Sequence, residues 1–307
     1  MAEKITVAIV GPGAIGGFLA GVFMNAGSKV TLVARREAVP GIVERGLCLK
    51  TALLGDRVIW PKAVETLEEA SDVICLATKV TELPAALSQI RKGVGQDTII
   101  IPFQNGLEHV DLLQKEFGNR VAVGMIGNIV AEKNESGCIV SSSKKVTIEL
   151  GSRKVPRDRL EAVGQLLQKS GIAVSIYDNE GEVIWHKLAR LAPLAALTAA
   201  SGKVLGEIRD DERWRGKLIA CTEEAAALAQ KEGVFIASAD ILKQLETMPA
   251  TVTTSLSRDV AKGMPGEMDA IVGGICRLAE KRGTPHSAFD EMRQLIEGRI
   301  ILYNKTT

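Results

Sequence analysis

The sequence has no excess of charge of either sign. Its 307 residues include 38 lysines and arginines and 37 aspartates and glutamates, which leaves a formal net charge of +1. A nearly neutral chain has no overall field that attracts nucleic acid or an anionic membrane surface, so we expect neither as a partner. Any anion-binding site must therefore be built locally.

Long apolar runs and paired cysteine motifs are also missing. No stretch of about 18 uninterrupted apolar residues occurs, so we expect no membrane-spanning segment. The apolar N-terminus is broken by glycines and its head carries both a base and an acid, which argues against a secretion signal. The five cysteines are odd in number, widely scattered and never spaced as CxxC, which predicts neither a disulfide framework nor a zinc site. A reducing cytoplasm is the predicted location.

The chain length predicts about two domains, and the character of the sequence changes along it. The first part alternates short apolar segments with helical patterns, which predicts a parallel sheet covered on both faces. We predict strands at 5–10, 29–34, 58–60, 73–77, 98–102, 121–125, 146–150 and 173–176, and helices at 14–25, 82–90, 107–117 and 157–169. After a polar turn at 177–181 we predict helices alone, at 183–200, 212–232, 238–246, 255–262, 266–282 and 287–302. Residues 1–177 are thus predicted to form an α/β Rossmann-type dinucleotide-binding domain and residues 178–307 an all-α helical domain.

A glycine-rich loop lies between the first predicted strand and the first helix. Gly11, Gly13 and Gly16 have the GxGxxG spacing, which is weak evidence alone but gains weight from the strand before it and the helix after it. In that arrangement the first glycine makes a tight turn, the second lets a pyrophosphate approach the backbone, and the third lets helix and strand pack closely. The free amides of the helix start, including those of Ala14 and Ile15, then hold the phosphates.

The end of the second predicted strand indicates which dinucleotide the loop takes. An acidic residue there binds the 2′-hydroxyl of NAD, but the sequence reads Ala34, Arg35, Arg36. Arginines at this place accommodate the 2′-phosphate, so NADP(H) is the predicted cofactor. Alternatively, Arg35 and Arg36 are solvated surface residues. The nearby acidic residue Glu37 leaves NAD as the alternative cofactor.

Two polar residues follow predicted strands at the edge where open α/β sheets bind ligands. Lys79 follows the segment VICLA, and Asn105 follows TIIIP. We therefore expect both near the cofactor, although each is also typical of a solvated loop, and Asn105 with Gly106 is an ordinary turn pair.

The helical part carries the more specific motifs. It reads WHKLARLAPLAALTAASGKVLGEI at 185–208 and TTSLSRDVAKGMPGEMDAIVGGI at 253–275. Together with GPGAIGG, VTLVAR and PFQNGLEH in the first part, these segments resemble the ketopantoate reductase (2-dehydropantoate 2-reductase) family over nearly the whole chain. The resemblance implies an NADPH-dependent reduction of ketopantoate to pantoate, a step towards pantothenate and coenzyme A.

The resemblance also implies roles for individual residues. The catalytic lysine and glutamate of the family fall on Lys187 and Glu267, and a serine that contacts the substrate falls on Ser255. The cofactor positions fall on the three loop glycines, Arg35, Lys79 and Asn105, and Asn105 also faces the substrate. A cationic ammonium suits this reaction, because it stabilises the alkoxide that forms and can supply its proton. We expect Lys187 and Glu267 to approach one another.

One departure leaves the substrate open. The family usually has asparagines four and eight residues after the lysine, where this sequence has Leu191 and Ala195, and Val272 replaces another expected asparagine. Arg190 is a candidate to bind the carboxylate of the substrate in another way, although an arginine at such a position is more commonly exposed to solvent.

Three functional hypotheses follow from this departure: a ketopantoate reductase, a relative acting on a more apolar 2-oxo or 3-hydroxy acid, and a non-catalytic NADP-binding sensor. The expected partner is a small 2-oxo acid. The sequence leaves the oligomeric state open, with a homodimer among the alternatives.

Overall fold

The computed structural model describes residues 4–306, which form two compact units. The first unit comprises the described residues up to Gln104 together with His109–Val183, and the second comprises Asn105–Glu108 and the residues from Ile184 onward. The change of unit after Val183 lies six residues beyond the predicted boundary after residue 177. The short Asn105–Glu108 segment thus clusters with a part of the chain that is distant in sequence.

The first unit contains the strands and the shorter helices. Its strands are β1 (Thr6–Val10), β2 (Lys29–Val33), β3 (Leu47–Thr51), β4 (Gly55–Ile59), β5 (Lys62–Val64), β6 (Val73–Leu76), β7 (Ile99–Pro102), β8 (Val123–Gly127), β9 (Ala131–Lys133), β10 (Ile139–Ser141), β11 (Thr147–Gly151) and β12 (Ala173–Tyr177). Its helices are α1 (Ala14–Asn25), α2 (Val39–Arg45), α3 (Leu83–Ile90), α4 (Glu108–Phe117), whose first residue belongs to the second unit, and α5 (Arg157–Lys169).

A five-stranded parallel sheet forms the centre of this unit, with the order β5-β2-β1-β6-β7. Successive residues of β1 belong to different apolar clusters: Val7 and Ile9 pack in one, and Ala8 and Val10 in the other. Both faces of the sheet are therefore covered, as near-continuous apolar strands require. The predicted Rossmann-type arrangement is confirmed.

Two further sheets differ from the prediction of one parallel sheet. A four-stranded sheet has the order β4-β3-β10-β9, and a three-stranded sheet the order β12-β11-β8. Both are mixed, since β10 pairs in parallel with β3 but antiparallel to β9, and β11 pairs in parallel with β12 but antiparallel to β8. The segment predicted at 58–60 overlaps β4 of the four-stranded sheet, and those at 121–125, 146–150 and 173–176 are strands of the three-stranded sheet, so their assignment to one parallel sheet is wrong. Strand direction cannot be read from apolar composition, because a buried strand has the same side chains in either orientation.

The cysteine pattern predicts no disulfide framework, but the structure contains one disulfide bond. Cys48 and Cys138 are bonded. The pairing follows from strand register: Leu49 of β3 lies opposite Ile139 of β10, which brings the preceding residues together. Because disulfides are rare in reducing compartments, the prediction of a cytoplasmic location loses part of its support. Cys75, Cys221 and Cys276 are free and buried, and burial raises the pKa of each thiol.

The second unit is helical, as predicted. α6 (Glu180–Ser201) contains the change of unit, and it is followed by α7 (Leu205–Asp210), α8 (Glu212–Lys231), α9 (Ser238–Thr247), α10 (Ser255–Val260), α11 (Gly274–Arg282) and α12 (Ser287–Thr306). The predicted helix at 266–282 begins with a π-helical turn at Asp269–Gly273. Between residues 178 and 306 no strand is found. No helix in the described range combines the length and the apolar character that a bilayer crossing requires.

Candidate active site

The glycine loop of the first unit has the geometry that its sequence predicts. Gly11 has a φ of +95°, and a Cβ there would lie 2.8 Å from Cγ2 of Thr78. A Cβ on Gly16 would lie 1.9 Å from the carbonyl oxygen of Gly11. Both positions therefore require glycine, one for its backbone conformation and one for the close approach of helix and loop.

The same loop leaves room and donors for a pyrophosphate. Gly13 has no atom within 4 Å of where a Cβ would be. Gly13 is also the N-cap of α1, and neither a side-chain cap nor an acidic residue occupies the first turn, where Ala14 and Ile15 lie. Backbone amides of an uncapped helix start attract phosphate oxygens, so these residues fit the pyrophosphate of a dinucleotide.

Gln104, two residues after β7, was missed by the sequence reasoning. Its side chain is 3% exposed, and its Nε2 donates to the backbone oxygen and the hydroxyl of Thr78 at 3.0 and 3.2 Å. Its Oε1 is buried and has no hydrogen-bond partner among the described residues. Since a buried acceptor without a donor is costly, this oxygen beside the glycine loop also fits a donor group of a bound dinucleotide. Its position directly before Asn105, a predicted site residue, was the one feature of the sequence that could have indicated it.

The residues predicted to select the cofactor lie beyond the ends of their strands. Arg35 follows β2 and forms an ion pair with Glu82, with 75% of its side chain exposed. Arg36 and Glu37 are also exposed. Lys79 is exposed after β6, and its backbone oxygen accepts a hydrogen bond from the amide of Glu82. The acidic partner of Arg35 was not expected from the sequence.

In the second unit, Asn105 lies between the two predicted catalytic residues. The Nζ of Lys187 donates to Oδ1 of Asn105 at 3.1 Å, and Nδ2 of Asn105 donates to Oε2 of Glu267 at 3.0 Å. All three side chains are half-buried. An amide can join an ammonium and a carboxylate in this way because it has an acceptor at one end and a donor at the other.

Two glycines explain how these residues come together. Gly106 follows Asn105 with a φ of +101°, and a Cβ there would lie 2.7 Å from the backbone oxygen of Ala270. Gly266 precedes Glu267 with a φ of +53°, and a Cβ there would lie 2.7 Å from Oδ2 of Asp259. Asn105 and Glu267 are thus each adjacent to a glycine in the left-handed conformation, and each glycine lies so close to a neighbouring residue that it leaves little room for a side chain.

An ion-pair network joins the two segments that carry Asn105 and Glu267. The guanidinium of Arg277 donates to both carboxylate oxygens of Glu108 at 2.8 Å and to Oδ1 of Asp269 at 2.7 Å. These hydrogen bonds lower the pKa of Glu108 below its usual value. Arg277 was missed by the sequence reasoning, because nothing in its spacing connects it to a residue near position 105.

Of the two predicted substrate ligands, Ser255 forms no hydrogen bond with this group among the described residues. Ser255 is exposed at the first position of α10, one helical turn before Asp259, whose carboxylate lies against Gly266. Residues four apart share a helix face, so Ser255 lies on the face of α10 that is directed to the Glu267 segment. Arg190 instead donates from Nη1 to Oε1 of Gln244 in α9 at 3.2 Å.

The predicted apolar stripe lies on one uninterrupted helix. α6 continues through Pro193, so Lys187, Leu191 and Ala195 share one face at intervals of four residues. Leu191 is half-buried and Ala195 is 1% exposed. Val272 is fully buried as well. Neither Leu191 nor Ala195 can form the hydrogen bonds of the amides expected at these two positions.

Metal ligands are not assembled in the described part of the chain, where no group of three or more His, Cys, Asp or Glu side chains is placed to hold an ion.

Comparison with known proteins identifies the family. The model described as "Ketopantoate reductase PanE/ApbA" matches residues 7–154, and the one for its C-terminal part matches residues 181–299. A 2-dehydropantoate 2-reductase of Mesorhizobium japonicum is 28% identical over 319 aligned positions, covering 95% of this chain and 96% of the relative.

Two solved structures share the fold. A PanE/ApbA family ketopantoate reductase from Ralstonia eutropha aligns with a TM-score of 0.86 and 24% identity, over 98% of this chain and 100% of the other. A D-mandelate dehydrogenase in complex with NADH and anilino(oxo)acetate aligns with a TM-score of 0.87 and 21% identity, over the same shares. The matched family models, which together span most of both units, show that the chain is an oxidoreductase and belongs to the ketopantoate reductase PanE/ApbA family.

Proposed function

We propose that the chain catalyses the NADPH-dependent reduction of a 2-oxo acid to a 2-hydroxy acid, with ketopantoate, reduced to pantoate for pantothenate and coenzyme A biosynthesis, as the first substrate to test. The observation that carries the proposal is the hydrogen-bonded series from Lys187 through Asn105 to Glu267. It supplies a proton donor held in one orientation, which this reaction requires.

Lys187 stabilises and protonates the substrate oxygen in this proposal. When bound, the reduced nicotinamide supplies a hydride to the carbonyl carbon, so that negative charge develops on the oxygen. The ammonium of Lys187 stabilises that charge and transfers one proton to it. Asn105 holds the ammonium in position through Oδ1, and Glu267 fixes the orientation of the Asn105 amide by accepting its Nδ2 hydrogen.

The proposed ligands of the cofactor and of the substrate share Asn105, which also faces the substrate. The loop of Gly11, Gly13 and Gly16, with the amides that begin α1, binds the pyrophosphate. Arg35 binds the 2′-phosphate that distinguishes NADPH from NADH. Lys79 and Asn105 contact the nicotinamide half. Ser255 and Arg190 are proposed as substrate ligands.

A more apolar 2-oxo acid is the second candidate substrate. Leu191 and Ala195 place hydrocarbon below Lys187, where it cannot donate hydrogen bonds to a substrate hydroxyl. The mandelate dehydrogenase with a similar fold holds anilino(oxo)acetate, an aromatic oxo acid, which supports testing such compounds here.

Oxidation of NADPH in the presence of a panel of 2-oxo acids, followed by absorbance, tests the proposal. We expect turnover of at least one member, and a decrease of kcat/KM of about 10²–10⁴-fold in Lys187→Ala. Lys243→Ala, which removes an exposed lysine of the same unit, is the matched control and should leave the rate unchanged. NADPH binding without turnover of any oxo acid would instead favour a non-catalytic sensor.

A further inference from the structure

The first unit contains a cationic cavity that the proposed reaction does not use. Its volume is about 440 Å³, within the range of small-molecule sites. The described residues that line it include three cations and no carboxylate: Gln96, Gly118, Asn119, Arg120, Lys154, Pro156 and Arg159. An accumulation of positive charge in a concave surface requires an explanation, because the cations repel one another.

The three cations have no acidic partner among the described residues. Within residues 4–306, none of Arg120, Lys154 and Arg159 forms an ion pair. Several other cations of the same unit are paired with carboxylates, as Arg91 is with Glu116, Lys92 with Glu68 and Arg157 with Asp178. No carboxylate among the described residues lies within ion-pair distance of the cations that line the cavity.

Backbone oxygens hold the two guanidinium groups in position. Arg120 donates from Nε to the oxygen of Gly95 at 3.0 Å and from Nη1 to that of Phe117 at 3.4 Å, and Arg159 donates from Nη2 to the oxygen of Asp97. Both side chains are half-buried. These contacts fix the orientation of the two arginine side chains and leave further N–H donors on each guanidinium. Because the side chains are already ordered, binding of an anion would cost little side-chain entropy.

The cavity lies away from the glycine loop. Gln96 precedes β7, and Gly118–Arg120 and Pro156 precede β8 and α5. The glycine loop follows β1, and β1 and β7 run in the same direction within the parallel sheet. The cavity is thus at the amino ends of the strands, and the dinucleotide loop is at their carboxyl ends.

We propose that this cavity is a second anion site, which binds the phosphate or diphosphate group of a small molecule. A phosphate group carries about 1.5–2 negative charges near neutral pH, which matches a cluster of three cations better than one carboxylate does. The planar guanidinium groups suit bidentate contacts with phosphate oxygens, and Lys154 adds a mobile charge at the rim. The proposal is independent of the reaction at Lys187.

Calorimetric titration with inorganic pyrophosphate, in the presence and absence of NADPH, tests the site. We expect one binding event that persists with NADPH and is weakened about tenfold or more in Lys154→Ala, because one charge-assisted contact is lost. Arg159→Gln should weaken it as well. Lys144→Ala, which removes an exposed lysine of the same unit outside the cavity, should bind like the wild type.

Three results would overturn the proposal. Pyrophosphate binding that NADPH abolishes would place the anion at the glycine loop instead. Equal losses in Lys154→Ala and Lys144→Ala would indicate non-specific attraction to surface charge. Absence of any binding heat at millimolar pyrophosphate would show that the cavity does not select this chemistry. Circular dichroism of each variant verifies that the fold is retained.

Discussion

Arg277 holds Glu108 by two parallel hydrogen bonds of 2.8 Å, from Nε and Nη2 to the two carboxylate oxygens. The same guanidinium binds Asp269, two residues beyond Glu267, while Glu108 lies three residues beyond Asn105. Two segments that are 162 residues apart at Asn105 and Glu267 are thereby tied together next to the hydrogen bond that joins those residues. Arg277 is a positioning residue in this arrangement.

Arg277→Lys should lower kcat by about tenfold, because a lysine keeps the charge but cannot make the two parallel contacts, and small displacements of reacting groups are costly. The dissociation constant of NADPH should change much less. Steady-state kinetics and fluorescence titration measure the two quantities. Arg282→Lys, which alters the ion pair with Glu232, is the control. Equal effects of the two substitutions on kcat would contradict a positioning role for Arg277.

The ion pair between Arg35 and Glu82 should compete with the cofactor phosphate. Arg35→Ser should weaken NADPH binding by about tenfold or more, through the loss of a charge-assisted hydrogen bond, and leave NADH binding unchanged. Glu82→Gln should strengthen NADPH binding by a smaller factor, since an exposed ion pair contributes at most about 1 kcal/mol. Titration of both reduced cofactors into the three proteins provides the measurement. Similar dissociation constants for NADPH and NADH in the wild type would refute the assignment of Arg35.

Leu191→Asn should shift substrate preference towards ketopantoate. An amide one turn below Lys187 adds one hydrogen bond of about 0.5–1.5 kcal/mol to the substrate hydroxyl, so kcat/KM for ketopantoate relative to its deoxy analogue should rise about two- to tenfold. Leu191→Ala is the control, because it removes the same hydrocarbon without adding an amide. Ala195→Asn is less informative, since Ala195 is 1% exposed and overpacking costs about 1–3 kcal/mol. An unchanged ratio in Leu191→Asn would mean that the hydroxyl is bound elsewhere.

The first unit should lose stability on mild acidification through His109. This side chain is 3% exposed, neither ring nitrogen has a hydrogen-bond partner among the described residues, and burial lowers its pKa from 6.5 to about 4. Between these two pKa values the unfolded chain binds the proton and the folded chain does not, so stability falls as pH decreases from 6.5 towards 4, by up to about 3 kcal/mol.

Urea denaturation of the whole protein at pH 7 and pH 5 measures this loss of stability. His109→Leu should reduce the difference between the two midpoints, whereas His186→Leu, which removes an exposed histidine of α6, should behave as the wild type does. A wild-type difference that persists in His109→Leu would assign the acid sensitivity to other groups.

The elements that could be predicted from the sequence are those with strong local signals. α1 begins and ends where the prediction has it, because the glycine loop precedes it and Gly27, with a φ of +88°, follows its C-cap. α5 was likewise predicted with its observed bounds. In contrast, β9 and β10 have three residues each and α7 has six, too few for a period to be recognised.

Contacts between distant residues could not be predicted from local patterns. Cys48 and Cys138 are 90 residues apart, and their pairing depends on the register of two short strands. The proximity of Lys187 and Glu267 was expected from the family resemblance, yet the position of Asn105 between them became visible in the structure alone. Spacing in sequence carries no information on which side chain bridges two others.

Four residues of the first half of the chain, Asn105–Glu108, belong to the helical unit, and this limits where the protein can be cut into fragments. A fragment that begins at residue 184 contains Lys187 and Glu267 but not the amide between them, because Asn105–Glu108 is contributed by a loop of the other half. A chimera that exchanges helical units between two family members must therefore exchange this tetrapeptide as well. Recombination at a single crossover near residue 184 would pair the lysine and glutamate of one parent with the asparagine loop of the other.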